Sequence, residues 1–306
     1  MIRFSRLTSY AVLASLILPS AALACACGCA IFDVGTSTLL PSGPGGTVFF
    51  EWDFLNQTKN WSGSSSAPAA NNDDKNIRSN FYLAGGQYMF NSSWGVMAEV
   101  PYTDRHFVTA DSGAPETFNH SAFGDVRLMG VYSGFSPDMS TGILFGVKLP
   151  TGDHTFPGFD PDVQIGSGST DALLGAYHTG SIDTAGDFQW FAQAVWQHEV
   201  ATQDHYTPGS ELNGAVGASY TNWHIGPNVS VAPVVQAVFS YRGHDGGAAG
   251  DPQNTGYARA LISPGVALTV NNWKVYADVE VPVYQHVTGN QLIGPYATKL
   301  ILSYSL

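Results

Sequence analysis

The last eleven residues of the chain, Tyr296-Ala-Thr-Lys-Leu-Ile-Leu-Ser-Tyr-Ser-Leu306, decide the fold class. Tyr, Thr and Leu side chains occupy every second position, and they alternate with a set that includes Lys299 and Ser303. A period of two belongs to a β-strand, because successive side chains of a strand point to opposite faces. The C-terminal stretch therefore predicts a strand with one apolar face and one mostly polar face.

The same alternation continues upstream through most of the chain. It predicts twelve strands, near residues 47–57, 77–90, 94–107, 122–133, 140–150, 168–181, 187–199, 210–221, 223–241, 254–270, 273–281 and 296–306. We find no capped helical pattern that competes with these strands. The chain is therefore predicted to be all-β.

Composition narrows the class further. Only 12% of the 306 residues are charged, whereas a soluble domain carries about 25%. After residue 24 no apolar run approaches the roughly 20 residues that a membrane helix needs. A formal net charge of −12 argues against a nucleic-acid partner, since a phosphate backbone is bound by a basic face.

The N-terminus has the pattern of a secretory signal peptide over residues 1–24. Arg3 and Arg6 precede a short apolar core, and Ala22-Leu-Ala24 forms a small-residue cleavage site. Residues 25–46 are then expected to form a Cys-containing periplasmic segment, and residues 47–306 the β-domain. Acylation of Cys25 stays open as an alternative, although Ala22 is a poor match to a lipidation signal.

Loop lengths separate a soluble sandwich from a transmembrane barrel. The connections at 91–93, 134–139 and 271–272 are short, and they alternate with long ones at 108–121, 151–167 and 243–253. Outer-membrane barrels have short periplasmic turns and longer extracellular loops. Trp94, Trp223 and Trp273 each follow a predicted short turn, at the level where interfacial aromatic residues gather. We therefore predict a closed antiparallel transmembrane β-barrel of about 12 strands in the cell outer membrane.

Three short segments carry a resemblance to a known family. Gly124-Asp-Val-Arg-Leu, Lys148-Leu-Pro-Thr-Gly152 and Gly166-Ser-Gly-Ser-Thr-Asp171 resemble a family of bacterial outer-membrane proteins named for the meta-pathway of phenol degradation. The last strand also resembles the signal that the barrel-assembly machinery reads, with Leu306 in place of the usual Phe. The resemblance implies an outer-membrane channel or transporter, without establishing phenol as its substrate.

Alternation assigns a set of charged side chains to the barrel interior. We predict that they line a pore: Glu51, Asp53, Glu99, Asp125, Arg127, Lys148, Arg259, Lys274, Asp278, Glu280 and Lys299. Charges at membrane depth are tolerated where they pair or meet water. A pore lining of this composition favours cations or neutral solutes, and the alternative is a packed polar interior that only holds the barrel together. Lys299 is expected near Glu51 and Asp53 through closure of the first strand on the last. Arg127 and Lys148 are expected to be neighbours that face acids across the lumen.

All three cysteines lie in Cys25-Ala-Cys27-Gly-Cys29. Thiolates at this spacing suit a soft metal such as Cu(I) or Zn(II), so a metal or redox site at Cys25, Cys27 and Cys29 is one hypothesis. A disulfide or an acylated Cys25 are the alternatives. The segment that follows could hang in the periplasm or fold into the lumen as a plug.

The chain shows weak signals for catalysis. His120 and Ser121 are adjacent and point to opposite faces, His198 and Ser210 at the next loop edge form only a weak candidate for a serine–histidine pair, and no G-x-S-x-G motif occurs. We therefore predict a channel for small, hydrophobic or aromatic organic compounds that needs no cofactor, and no enzyme. The alternatives are a metal-binding or redox-sensing protein and a structural barrel with a closed lumen. The expected partners are outer-membrane lipid, the barrel-assembly machinery and a small solute.

Overall fold

The computed structural model describes residues 40, 41 and 43–306. The predicted signal peptide and Cys25, Cys27 and Cys29 lie outside this part of the chain. Within it, no helix has the length and apolarity to cross a membrane.

The described residues form sixteen strands and one short 3-10 helix, Ala69–Asn71. The first eight strands are β1 Gly45–Gln57, β2 Lys59–Gly63, β3 Ser65–Ser66, β4 Asp74–Met89, β5 Trp94–Thr109, β6 Glu116–Phe123, β7 Arg127–Tyr132 and β8 Thr141–Lys148. The other eight are β9 Ser169–Ser181, β10 Phe188–Thr202, β11 Glu211–Tyr220, β12 Trp223–Gly226, β13 Val229–Arg242, β14 Tyr257–Val270, β15 Trp273–Ile293 and β16 Ala297–Ser305.

Twelve of these strands close into a barrel. Antiparallel pairing runs in the order β1, β4, β5, β7, β8, β9, β10, β11, β13, β14, β15 and β16, and β16 pairs back with β1. Closure gives the backbone groups of the wall a partner on both sides, which hydrocarbon surroundings demand. The predicted closed twelve-stranded antiparallel barrel is confirmed.

Alternation along each strand divides the side chains between lipid and lumen. In β16, Leu300 and Leu302 face outward and are about 40% exposed, while Lys299 and Ile301 face inward and are almost completely buried. The same exposure marks large apolar side chains on the outer face of the other strands, for example Phe50, Val235 and Phe239. Such a continuous apolar outer face is what a lipid bilayer requires.

The two ends of the barrel differ as the loop lengths predict. At one end the turns are short, and Trp94 packs on Tyr132 and Trp273 on Tyr304, with ring centroids 4.7 and 4.8 Å apart. We assign this end to the periplasm. At the other end, β2, β3 and β6 extend the connections above the barrel wall.

Two predicted strands differ in extent from the observed strands by more than a few residues. The strand predicted over 122–133 is interrupted, and its two parts, β6 and β7, both pair with β5. The interruption follows from Asp125, whose carboxylate accepts hydrogen bonds from the backbone N–H groups of Gly152 and Ser167 in a loop rather than standing beside a strand. The strand predicted over 273–281 continues to Ile293 because its outer part pairs with β2.

The prediction of a single strand over 223–241 is wrong. β12 and β13 pair as a hairpin around Pro227 and Asn228, since proline cannot continue a hydrogen-bonded ladder. β12 pairs with β13 beyond the end of β11. Trp223 therefore lies on this short strand and does not follow the periplasmic turn directly.

The lumen has two layers. Its periplasmic half is filled by apolar side chains that form one cluster: Phe49, Met89, Met97, Met129, Val131, Met139, Leu173, Tyr177, Phe191, Ala215, Val234, Val238, Leu261, Ala267, Tyr276 and Ile301. Leu40, which precedes β1, packs against this cluster. The middle and extracellular parts of the lumen hold most of the charged residues, and Lys274 lies at the periplasmic end of β15.

Candidate transport cavity in the lumen

Strand register places ten of the eleven predicted pore-lining residues on the inner face of the barrel, and Asp125, in the loop between β6 and β7, lines the cavity as well. Arg127 and Lys274 are partly exposed, and the other nine are buried: Glu51, Asp53, Glu99, Asp125, Lys148, Arg259, Asp278, Glu280 and Lys299. Arg127 and Lys148 are register neighbours, as expected. That these residues line a transport path stays a prediction.

A cavity of about 150 Å³ lies above the apolar layer. Charged and polar side chains from several strands line it, among them Glu51, Asp53, Arg127, Gln197 and Glu211. Phe81, Leu83 and Pro101 add apolar surface on one side. A cavity of this kind offers both contact area and orienting polar groups to a small molecule.

The connection 149–168 folds inward and covers the cavity. Phe159 and Val163 pack against Ile77 and Phe107 inside the barrel wall. Arg105 donates hydrogen bonds to the backbone carbonyls of Val163 and Gln164. We call residues 149–168 the inward loop.

Glycine makes the base of the inward loop possible. Gly152 and Gly166 cross so closely that a Cβ on Gly166 would lie 2.4 Å from the carbonyl carbon of Gly152. A side chain at either position would therefore push the two backbone segments apart. The Gly124, Gly152 and Gly166 motifs of the sequence thus meet at one place, where Asp125 binds both sides of the crossing.

The tip of the inward loop carries an acid in a crowded site. Burial, together with the nearby carboxylates of Asp162, Asp111 and Asp73, raises the pKa of Asp160 to about 7. The aspartate is thus more easily protonated than usual at the extracellular mouth.

Most basic residues of the cavity are paired with acids on neighbouring elements. Lys148 Nζ lies 2.7 Å from Asp171 Oδ2 and 3.6 Å from Asp125 Oδ2. It also donates hydrogen bonds to the hydroxyls of Ser167 and Ser169, at 2.6 and 3.3 Å. These acids are adjacent to Lys148, whereas the sequence predicted acids across the lumen.

Three more ion pairs complete this side of the lumen. Arg242 lies 2.7 Å from Asp245 and 3.7 Å from Glu211. Arg127 Nη1 lies 3.8 Å from Glu99 Oε2. Lys148, Arg127, Arg242 and their acids therefore form paired clusters in which each cation has at least one carboxylate within 4 Å.

A different arrangement occupies β15, β16 and β1. We call Glu51, Asp53, Asp278, Glu280 and Lys299 the acidic wall. Lys299 Nζ lies 3.3 Å from Glu51 Oε1 and pairs in register with both Asp53 and Asp278. The predicted approach of Lys299 to the acids of the first strand is confirmed.

Sequence reasoning missed Arg105, Asp171, Glu211, Arg242 and Asp245. Arg242 had a usable signal, since it alternates with the outward-facing Tyr241 at the end of β13. Asp171 belonged to a quoted motif but was not assigned to the lumen. Asp245 had no signal, because it lies in a loop and its pairing with Arg242 depends on the loop conformation.

Histidines of the extracellular side pair individually with neighbouring polar groups. His120 Nε2 lies 2.8 Å from Asp153, and His154 Nε2 lies 2.9 Å from Asp204. Among residues 40, 41 and 43–306, no group of three or more His, Cys, Asp or Glu is arranged to hold a metal ion.

His198 and Ser210 do meet, on the outer face of the barrel. Ser210 Oγ lies 2.7 Å from His198 Nδ1, and His198 stacks on Trp196. Glu199 Oε2 lies 3.4 Å from the same Nδ1 and accepts a hydrogen bond from Ser210 Oγ at 3.2 Å. A serine-hydrolase relay has acid and serine on opposite ring nitrogens, so this cluster has a different geometry.

Comparisons with known proteins agree with the fold. No protein-family model matches the chain, and a search of curated proteins finds no match. Among solved structures, an outer-membrane channel from Pseudomonas putida F1 has a TM-score of 0.68 and 10% identity, covering 90% of this chain and 100% of that chain. The β-domain of a Bordetella autotransporter has a TM-score of 0.52 and 11% identity, covering 86% of this chain and 100% of that chain.

The closed wall, the apolar outer face and these likenesses define the chain as an outer-membrane β-barrel. Within that class it is a twelve-stranded barrel with a charged cavity in its lumen. At these identities the likeness extends to the fold alone.

Proposed function

We propose that the chain is an outer-membrane channel for small organic compounds. The observation that carries the proposal is the charged cavity enclosed by the barrel wall and the inward loop. A barrel of twelve strands is wide enough to enclose such a space. Charged groups at this depth are costly unless they meet water or a polar ligand.

The residues that line the cavity narrow the class of solute that the sequence predicts. Phe81, Leu83 and Pro101 offer an apolar side suited to a hydrophobic or aromatic body. Arg127, Gln197 and Glu211 offer donors and acceptors on other sides. We infer that the solute combines an apolar body with at least one polar group, rather than being a plain hydrocarbon.

The apolar layer of the periplasmic half favours a second candidate, a structural barrel with a closed lumen. Phe49, Tyr177, Phe191 and Tyr276 are nearly inaccessible there. Passage of a solute requires these side chains to change rotamer. A structural barrel would leave them packed.

A liposome-swelling assay separates the two candidates. Purified protein is reconstituted, and swelling rates are measured with neutral, acidic and basic solutes of similar size, each with an apolar body. We expect faster swelling than in protein-free liposomes for at least one polar solute. Folded protein that leaves every rate at the protein-free value contradicts the channel and supports the structural barrel.

The cysteine segment is a separate proposal. We propose that Cys25, Cys27 and Cys29 bind Cu(I) or Zn(II), because thiolates at this spacing are soft ligands. Stoichiometric Cu(I) binding that disappears when all three become Ser supports it, and unchanged binding in the triple variant discards it. We also propose that the barrel-assembly machinery reads the C-terminal strand ending at Leu306.

A further inference from the structure

The acidic wall and the paired clusters differ in charge balance. In the paired clusters every cation has a carboxylate within 4 Å. In the acidic wall, four carboxyl groups surround the single ammonium of Lys299, and all five side chains are at least nine-tenths buried. The wall therefore holds more carboxyl groups than cations in a place that water barely reaches.

Several oxygens of the acidic wall point to a ligand. Within residues 40, 41 and 43–306, Asp53 Oδ1, Asp278 Oδ1 and both carboxylate oxygens of Glu280 have no hydrogen-bond partner. The other oxygen of Asp278 is saturated, accepting from Ser263, Tyr276 and Gln236 at 2.6, 2.7 and 3.0 Å. Buried carboxylates without partners are costly, and a cation nearby removes much of that cost.

The front of the wall is open to the cavity. Glu51 and Asp53 both line it, two positions apart on β1, so their carboxylates project on the same side of the strand. Asp278, Glu280 and Lys299 lie behind them on β15 and β16. A positive group that enters the cavity therefore meets Glu51 and Asp53 first and feels the remaining acids through a low-dielectric interior.

The shape of the wall indicates which cation fits. The acids are not grouped as metal ligands among the described residues, so a bare divalent ion lacks a compact ligand set. An ammonium group needs only a few acceptors around three N–H donors. Phe81 pairs in register with Asp53 and lines the same cavity, which places apolar surface beside the acids.

We propose that Glu51 and Asp53, supported by Asp278 and Glu280, bind the positively charged end of a small organic ammonium ion, so that the channel selects such cations. This inference rests on the proposed channel function. It names the substrate class of the same cavity: a small amine whose apolar body lies against Phe81.

Reversal potentials in planar bilayers test the proposal. With a tenfold gradient of ethylammonium chloride, we expect wild-type protein to pass ethylammonium over chloride by about threefold or more, since the acids raise the local cation concentration. Glu51→Gln with Asp53→Asn should bring the ratio close to one. Asp111→Asn with Glu116→Gln, which removes equal charge from an extracellular loop, should leave it unchanged.

The single variants E51Q and D53N give a second route if the double variant does not fold, because each should lower the ratio partway. A potassium chloride gradient separates an inorganic site from an organic one. Selection of potassium without selection of ethylammonium overturns the proposal, as does a ratio at or below one in wild-type protein. Complete absence of current from folded protein overturns the channel itself, and the ammonium site with it.

Thermal unfolding in detergent is an independent readout. A ligand that binds the folded state raises its apparent stability. Ethylammonium chloride should raise the unfolding midpoint of wild-type protein above that in tetrabutylammonium chloride at the same ionic strength. Equal midpoints in the two salts, or the same rise in E51Q/D53N, contradict binding at the acidic wall.

Discussion

The periplasmic and extracellular halves of the lumen are filled by different kinds of side chains. In the periplasmic half, Phe49, Phe191, Tyr276 and several methionines fill the space with apolar contacts. In the other half, Lys148, Arg242 and Lys299 stand among acids and leave a cavity. Apolar packing can close a barrel without a ligand, whereas buried charges demand partners, so the ligand site is expected in the charged half.

The largest effect is expected from breaking a charge cluster. Lys148→Met leaves Asp125 and Asp171 buried without their cation, and it should lower the free energy of unfolding by about 3–5 kcal/mol. Denaturant unfolding in phospholipid vesicles measures this loss. Lys59→Met, at an exposed position on β2, is the control and should change stability by less than about 0.5 kcal/mol. Similar small losses in both variants would mean that the cluster does not hold the charged half together.

The apolar half should respond with a somewhat smaller loss of stability and a gain of conductance. Phe191 is 1% exposed, and its ring lies so close to Gly217 that a Cβ there would approach it to 2.5 Å. Phe191→Ala should lower the free energy of unfolding by about 3 kcal/mol and open space in the apolar layer. Single-channel conductance should rise in this variant and stay unchanged in Phe239→Ala, whose side chain faces lipid. Equal conductance in both variants would place the constriction elsewhere.

A pH effect is expected at the inward loop. Because the pKa of Asp160 is raised to about 7 in the folded protein, the folded state binds this proton more tightly than the unfolded chain does. The packing of the loop should therefore be strongest below about pH 4 and weaken as pH rises through about 7. Hydrogen exchange of residues 156–164, corrected for intrinsic rates, should show less protection at pH 8 than at pH 5. Asp160→Asn should remove the difference, and an unchanged pH response in that variant would contradict the assignment.

The smallest effect is expected on the outer face. Ser210→Ala removes hydrogen bonds to His198 and Glu199 at a partly exposed site, so stability should fall by about 1 kcal/mol or less. Conductance should not change, because the cluster lies outside the lumen. A conductance change in this variant would show that the outer rim influences the pore.

Much of the fold could be predicted from the sequence because a side chain on a barrel strand has only two possible directions. Each position of a barrel strand faces lipid or lumen, so the alternation of Leu300 and Leu302 with Lys299 fixes the side of every neighbour. This explains why the ten predicted charges that lie on strands face the inside of the barrel. Because β1 pairs with β16 in the closed barrel, Lys299 then lies beside Asp53.

The candidate cavity could be predicted only in part. The acid that pairs with Lys148 depends on the register between strands and on the conformation of the inward loop. The alternation of side chains along a strand determines neither. Arg105 holds that loop through backbone carbonyls of residues more than fifty positions away, so no side-chain pattern in the sequence marks the contact. The hairpin at Pro227 and the interruption at Asp125 are likewise local departures from the alternation of side chains along a strand.

Single-channel recording in planar bilayers tests the central claim most directly. Detergent-purified barrel, shown to be folded by its β-type circular dichroism, is added to a bilayer under an applied voltage. The account predicts discrete current steps that increase with Phe191→Ala. Folded protein that inserts into the bilayer and carries no current, in wild-type form and in that variant, would contradict it.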